Sequence, residues 1–410
     1  MKPFTTKHKY RYLRGRLGPC IDIKSLKALI SSDPSSNSKS DNVIKHAESD
    51  LRLRDRQPST PWRTRDSLSK SRRSPSQSDF SSRYVIWLLI QVAVVSNTIS
   101  IAVLPHDSYG RDHGLFIGDK LPFVLGSSLA GIVEQLGPES DSTFGIGDRV
   151  FGISDVTYPT PDQAGLQQYA ILKTDAIAIV PKTISSDEAA TLPVNIATIA
   201  IALFTKEFGL NFPAPWENEP FTFTDEPIVI LGAGTNAARL FTRVATKVLG
   251  VKNVITVASL SNKTELLEAG ASYVIDRHLS DDAIIAEVHE AAGGQANVTR
   301  IFDCASWDHH LAAALFATDK PSRLSTLHPV DEAKVRETRP LCKASLVLMT
   351  NGNLGSHARD FWQTLPRWIE AGIVRPTAFY TVDGLDEAKI NKQLDEYAAG
   401  KGLTHLIVHP

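Results

Sequence analysis

Three features of this 410-residue sequence predict an α/β fold in which a β-rich part accompanies a doubly wound parallel sheet. Residues 120–181 carry short alternating apolar runs separated by Gly, Pro and Asp, the pattern of strands joined by turns. Helical and strand patterns then alternate as far as about residue 345, as a parallel sheet with crossover helices requires. Within that alternation PIVILGAGTNAARL, residues 227–240, links an apolar run to a helical period through three small residues. The length allows two cores. With 22% charged residues and a net charge of −1 there is no basic excess to hold nucleic acid.

Residues 1–83 are rich in Ser, Lys, Arg and Asp, as in SSDPSSNSKSD and SLSKSRRSPSQSDFSSR, with no sustained apolar period. Such a segment buries too little surface to offset chain entropy and reads as a disordered basic arm. A nuclear signal or a phosphate-binding tail is the functional alternative to plain solvation. The amino end lacks the charged-then-apolar order of a secretory signal.

Tyr84 to Leu104, YVIWLLIQVAVVSNTISIAVL, has no charge and enough length to cross a bilayer as a helix, with Arg72, Arg73 and Arg83 on the cytosolic side. Ser96, Asn97, Thr98 and Ser100 dilute its second half, and β-branched residues dominate. That favours a buried strand, a break and a second apolar piece. The membrane helix is kept as the alternative.

Between 120 and 181 the runs are GIVEQLG, GIGDRVFGI and LQQYAILKTDAIAIVP. Gly145 and Gly147 are expected at positive-φ turn positions, with Asp148 and Arg149 as a structural pair beside the turn. After Pro181, SSDEAATLPVNIATIAIALFTKEFGL begins with a cap-like Ser186 and acidic Asp187 and Glu188, then continues at helical spacing.

In the 227–240 stretch Ile228–Leu231 reads as a buried strand, and Gly232, Ala233 and Gly234 as a turn. Ala237, Leu240, Phe241, Val244, Ala245, Val248 and Leu249 recur at helical spacing up to Gly250, a C-cap candidate, and Val254–Ala258 is a second strand. Strand, glycine turn, helix and strand make the setting of a dinucleotide-binding turn in a Rossmann domain. Gly232 and Gly234 let the backbone approach a pyrophosphate, while Thr235 and Asn236 open the helix whose N-terminus attracts it. Ala237 replaces the third glycine of G-x-G-x-x-G, a position that needs only a small residue.

An NAD site usually carries an acid about 20 residues on, holding the ribose hydroxyls. Here VASLSNKTE places Ser259, Ser261 and Lys263 there, with no carboxylate before Glu265. Hydroxyls and a cation suit a 2′-phosphate, so the expected cofactor is NADPH. Ser261 and Asn262 capping the next helix is the structural reading of the same residues. Three cysteines, Cys20, Cys304 and Cys342, are too scattered for a disulfide framework or a thiolate metal site, which fits a reducing, cytoplasmic setting.

LPFVLGSSLAGIVEQLG, GIGDRVFG, EAATLPVNIATIAIALF, the glycine turn, LLEAGASYVID and FWQTLPRWIEAGIVRP together resemble the medium-chain dehydrogenase/reductase superfamily. The nearest pattern is its zinc-free branch of quinone-oxidoreductase-like and fungal stand-alone enoyl reductases. The resemblance covers roughly residues 90–410 and implies a discontinuous GroES-like, β-rich catalytic domain over 84–195 and 346–410, with a Rossmann domain over 196–345 between them. It also suggests a homodimer. Zinc-dependent relatives have Gly-His-Glu where this chain has Gly126, Ser127 and Ser128, and no cysteine lies between Cys20 and Cys304, so no metal site is expected. His106, His113, His309 and His310 lack ligand-like spacing and read as surface histidines.

The resemblance implies that Thr198 contacts the nicotinamide side of the cofactor, a hydroxyl bonded back to its own helix being the alternative. It implies that Asn97 shapes the substrate pocket and that Asn351, with Gly352 and Asn353, forms the loop facing the nicotinamide. Arg277 stands where relatives often have a tyrosine near the adenosine phosphate, and Tyr169 is expected to be a packed core aromatic. Relatives also carry several strands before the position of Gln91, where this chain has the basic arm. Either the arm holds divergent strands or the GroES-like domain is incomplete at its N-terminus. Two functional readings follow. The first is an NADPH-dependent, zinc-independent reductase of enones, quinones or enoyl thioesters, including carrier-bound polyketides. The second is a non-catalytic, Rossmann-containing cofactor-sensing or interaction protein with a degraded catalytic domain.

Overall fold

The computed structural model describes residues 93–118, 123–137, 143–155, 161–217, 226–401 and 404–410. The expected basic arm, the first part of the Tyr84–Leu104 segment and the question of strands before Gln91 lie outside the described residues.

The described strands form two sheets. The mixed one contains β1 (Ala93–Val103), β2 (Ser128–Leu136), β3 (Arg149–Ile153), β4 (Tyr169–Lys173) and β5 (Ile177–Ile179). It is completed by two strands from the far end of the chain, β12 (Phe379–Asp383) and β13 (His405–His409). Their order is β12-β13-β1-β2-β3-β5, with β4 also pairing β1. The second sheet is parallel, in the order β11-β10-β9-β6-β7-β8. Its strands are β6 (Ile228–Leu231), β7 (Val254–Ala258), β8 (Tyr273–Asp276), β9 (Arg300–Asp303), β10 (Ser322–Thr326) and β11 (Cys342–Leu346).

The helices are α1 (Pro105–His113), α2 (Ser186–Ala190), α3 (Pro193–Phe204), α4 (Asn236–Lys247), α5 (Lys263–Ala269) and α6 (Asp281–Ala291). They continue with α7 (His310–Leu315), α8 (Glu332–Thr338), α9 (Asn351–Leu354), α10 (Ala358–Glu370) and α11 (Glu387–Ala398). Along β6, Ile228 and Ile230 enter one core while Val229 and Leu231 enter another, because this sheet is covered on both faces. The first of these cores runs through α3, which is buried on nearly every side, to Phe151 of the mixed sheet and Trp362 of α10. A helix apolar all round is what such a central position demands.

Ala93–Val103 is one strand of 11 residues without the expected break. Register shifts between Val95 and Ser96 and between Thr98 and Ser100 absorb the irregular stretch as bulges. The membrane-helix alternative therefore fails over this part, and no helix among the described residues is long and apolar enough to cross a membrane.

Several local expectations are corrected. Of Gly145 and Gly147 only the second has a positive φ, +90°, and Asp148 accepts the Gly145 amide at 2.7 Å instead of pairing with Arg149. Ser185, not Ser186, caps α2 in a capping box with Glu188. The helical run after it divides at Pro193, which lacks the N–H an uninterrupted helix needs and opens α3 instead. Helix α4 ends at Lys247 with Val248 as its C-cap, before Gly250, although Gly250 does adopt φ +64°. Tyr169 is 45% exposed and so is no core aromatic.

Candidate active site

Strand order reverses beside β6. The chain builds β6, β7 and β8 outward in one direction, then returns to lay β9, β10 and β11 on the other side of β6. At such a switch point the loops leaving the carboxyl ends of two adjacent parallel strands part and open a crevice. The turn Gly232–Gly234 leaves β6 at that place, and Asp303 and Ala305 leave β9 opposite it. Gly232 has φ +72°, and a Cβ added there would stand 2.6 Å from the Cβ of Ala305. At Gly234 an added Cβ would stand 2.8 Å from Asn262 Nδ2. Gly232 therefore requires glycine for backbone and space, while a side chain at Gly234 would have to displace the Asn262 amide. Thr235 caps α4 by accepting the Ala238 amide at 3.2 Å, so the first helical turn faces the crevice. The side chain of Asn236 reaches His405 of β13 at 3.2 Å. This cradle, lacking Cβ atoms and ending in a helix N-terminus, fits a dinucleotide pyrophosphate.

Ser259 follows β7, Lys263 opens α5 and Arg277 follows β8, where its amide donates to Ala258 O at 3.0 Å. Ser259 Oγ accepts from Ser261 Oγ at 3.0 Å, and Lys263 and Arg277 are exposed. Asn262 makes no side-chain cap, contrary to the structural reading of this stretch. Its Oδ1 accepts from Arg239 Nη2 at 2.7 Å and its Nδ2 donates to Ser259 O at 3.3 Å. Arg239, on α4, also pairs with Glu265 at 3.1 Å. Sequence reasoning missed Arg239 because a cation in a helix facing away from its own core looks like any solvated residue.

Thr198 is buried in α3, which packs against α4, and donates its hydroxyl to Val194 O at 2.8 Å, the back-bonded arrangement. Its lone pairs alone are left for a ligand. Asn351, at the start of α9, is buried, and its Oδ1 accepts from Trp362 Nε1 at 3.2 Å. Asn97 lies half-buried on β1 opposite Ile132 and Tyr169.

Two histidines read as surface residues are not. His309 is 2% exposed, with Nδ1 3.0 Å from Asp303 Oδ2 and Nε2 3.3 Å from Pro329 O. Burial alone would lower its pKa, but the Asp303 carboxylate outweighs burial and raises it. Burial likewise pushes Asp303 up, while hydrogen bonds from His309, Ser306 and Ala305 hold it below the usual carboxylate range. The pair fastens the loop after β9 to the end of that strand and, through Pro329 O, to the loop after β10. His106 is half-buried, with Nε2 2.6 Å from Ser127 Oγ. Cys304 is no nucleophile, since burial drives its thiol pKa far up.

No protein-family model matches the chain. A search among characterised proteins finds dehydrogenase orsE of Emericella nidulans, 25% identical over 77% of this chain and 91% of its own length. The enoyl reductase component lovC of the lovastatin nonaketide synthase from Aspergillus terreus is 34% identical over 33% of this chain, which spans only 36% of it. Trans-enoyl reductase tazE of the same species is 27% identical over 44% of this chain and 59% of its own length. Among solved structures, a quinone oxidoreductase of Pseudomonas syringae aligns with a TM-score of 0.61 at 19% identity, over 78% of this chain and 92% of that one. A mycobacterial protein solved in complex with NADPH aligns with a TM-score of 0.56 at 18% identity, over 78% and 92%.

Proposed function

We propose that this chain, a relative of fungal trans-enoyl reductases and dehydrogenases with the fold of the medium-chain dehydrogenase/reductases, reduces α,β-unsaturated carbonyls with NADPH. The observation that carries the proposal is the glycine turn at the strand-order switch point, flanked beyond β7 by hydroxyls and cations. The first carboxylate there, Glu265, is already held by Arg239. Bound NADPH supplies a hydride at the β-carbon of an enone, quinone or enoyl thioester, free or carrier-bound. The chain's own part is to hold and orient. Gly232, Gly234 and the first turn of α4 take the pyrophosphate, and Ser259, Lys263, Arg277 and Arg239 surround the 2′-phosphate. Thr198 accepts from the carboxamide, the Nδ2 of Asn351 donates beside the nicotinamide, and Asn97 borders the substrate. Ser127 occupies the place of the zinc branch's histidine. The carbonyl is therefore polarised by hydrogen-bond donors rather than by a Lewis acid, which reduction of a conjugated C=C tolerates.

The test is a fluorescence titration of the full chain with NADPH and NADH, followed by NADPH oxidation against enones and quinones. Binding with turnover is the expected result. Binding without turnover on any acceptor would favour the non-catalytic reading, and no binding of either cofactor would refute the site itself.

A further inference from the structure

We propose that His106, held by Ser127 over a small cavity in the mixed sheet, is the proton donor of this reduction; the proposal rests on the reductase reading above. The cavity, of about 30 Å³, has an apolar wall formed by Leu115, Phe116 and Ile117 and a polar wall that includes His106, Ser127 and Ser154. His106 Nε2 is engaged by Ser127 Oγ at 2.6 Å. Nδ1 has no hydrogen-bond partner among the described residues, and the side chain is 22% exposed. One nitrogen is therefore anchored and the other is presented. A space of this size holds about one water-sized group beside the imidazole, as the carbonyl end of a substrate would be, and the Asp107 and Asp155 carboxylates share its wall.

The surroundings fix the ring. Asp107 lies 3.6 Å from His106 Nε2, but its two oxygens accept the Leu104 amide at 2.8 Å and the Gly126 amide at 3.2 Å. That carboxylate thus locks the start of α1 onto the 126–127 segment and leaves the imidazole to Ser127. Ser127 is buried, and its carbonyl accepts the Ser154 amide at 3.0 Å. The next residue, Ser128, donates to Ala190 O at 2.8 Å and accepts the Val194 amide at 3.5 Å. Val194 O in turn takes the Thr198 hydroxyl. A single stretch, 126–128, thus carries the His106 contact and pins the helix that holds Thr198, one helical turn of about 5.4 Å further on. The second carboxylate on the cavity wall, Asp155, is paired with Lys173 at 2.7 Å.

In the step assigned to His106, hydride adds to the β-carbon and the former π pair becomes an enolate. The Nδ1–H bond of the imidazolium then breaks and its proton forms the new C–H bond at the α-carbon. The product is a saturated carbonyl, the nicotinamide is oxidised, and water reprotonates the neutral imidazole.

Wild type, His106→Gln and Ser127→Ala full-length chains are compared for NADPH binding by fluorescence, thermal melting, and kcat on an enone from pH 6 to 9. Independently of the variants, diethyl pyrocarbonate labelling of the wild type is mapped by mass spectrometry with and without a saturated ketone analogue. The expected result is unchanged NADPH binding, kcat lower by about 10²-fold in His106→Gln with loss of its pH dependence, a smaller loss in Ser127→Ala, and a His106 adduct that the ketone suppresses. Wild-type kcat and pH profile in His106→Gln, or labelling indifferent to the ketone, would overturn the proton-donor role while leaving the reductase reading intact. Absence of turnover in the wild type with any acceptor would overturn both. If His106→Gln does not fold, ketone protection in the wild type decides.

Discussion

Asn236, in the first turn after the glycine turn, donates from Nδ2 to Nε2 of His405 at 3.2 Å and so ties the parallel sheet's leading helix to the last strand of the mixed sheet. His405 is 2% exposed, and burial pushes its pKa down to about 4, so the ring is neutral at ordinary pH. Since the amide nitrogen only donates, Nε2 is the acceptor and Nδ1 carries the proton, which it gives to Thr377 Oγ1 at 2.9 Å.

A pH dependence follows from this link. Between the ordinary histidine pKa near 6.5 and the folded value of about 4, the unfolded chain takes up a proton that the folded chain refuses. Stability should therefore fall on acidification through that window by about 1.4 kcal/mol per pH unit at most. Urea unfolding at pH 7 and pH 5 measures it. In His405→Asn the slope should shrink by most of that amount, and an identical slope in the variant would show that another group is responsible.

The Asp303–His309 pair sets a limit on each side. Asp303 titrates below its ordinary range, so its contribution is present above the unfolded pKa and fades as the pH drops through the folded one. His309 titrates above its ordinary value, so its contribution is complete below the unfolded pKa and fades as the pH rises through the folded one. The pair thus stabilises fully between about pH 4 and about pH 6.5. Removing one partner leaves a buried uncompensated group, and His309→Asn should cost about 3 kcal/mol. Equilibrium unfolding at pH 6 checks this, and a loss below about 1 kcal/mol would mean that water or a rearranged loop compensates.

What was legible in the sequence follows from how far the physics reaches along the chain. Strands β6 and β7 fall within the bounds that periodicity and flanking Pro and Gly indicate, because those signals span only a few neighbours. The glycine turn was equally plain, since strand, turn and helix are consecutive. His106 with Ser127, 21 residues apart, and Asn236 with His405, 169 apart, left no trace, because nothing in either local pattern specifies the partner. His309 was misread for the same reason: its carboxylate lies only 6 residues away, but an αL backbone at φ 55° turns the ring inward. The strand reading of the Tyr84–Leu104 segment succeeded where described, while its expected break did not occur, because a bulge accommodates polar residues without ending a strand.

Gly232 provides a direct test of the cradle. A methyl at this position meets the Ala305 Cβ at 2.6 Å and forces an L-residue into φ +72°. The backbone term alone costs about 1–2 kcal/mol, and relieving the contact moves the turn away from the β9 loop. Gly232→Ala should abolish NADPH fluorescence enhancement while the chain remains folded by circular dichroism. Wild-type affinity in this variant would show that the pyrophosphate does not lie against the turn.

The proposed preference for NADPH rests on charge beyond β7 and β8. Lys263 and Arg277 are exposed and screened by salt, whereas Arg239 is 19% exposed and fixed by Asn262 and Glu265. A guanidinium already oriented loses less freedom on meeting a phosphate, so Arg239 should dominate the discrimination. Arg239→Gln is expected to weaken 2′,5′-ADP binding at least tenfold, about 1.4 kcal/mol, with 5′-ADP binding unchanged. Lys263→Ala and Arg277→Ala should each have a smaller effect that vanishes at high salt. Calorimetric titration with the two nucleotides at low and high ionic strength separates the contributions. Equal losses for both nucleotides in Arg239→Gln would assign that side chain to holding the α5 turn in place rather than to reading the 2′-phosphate.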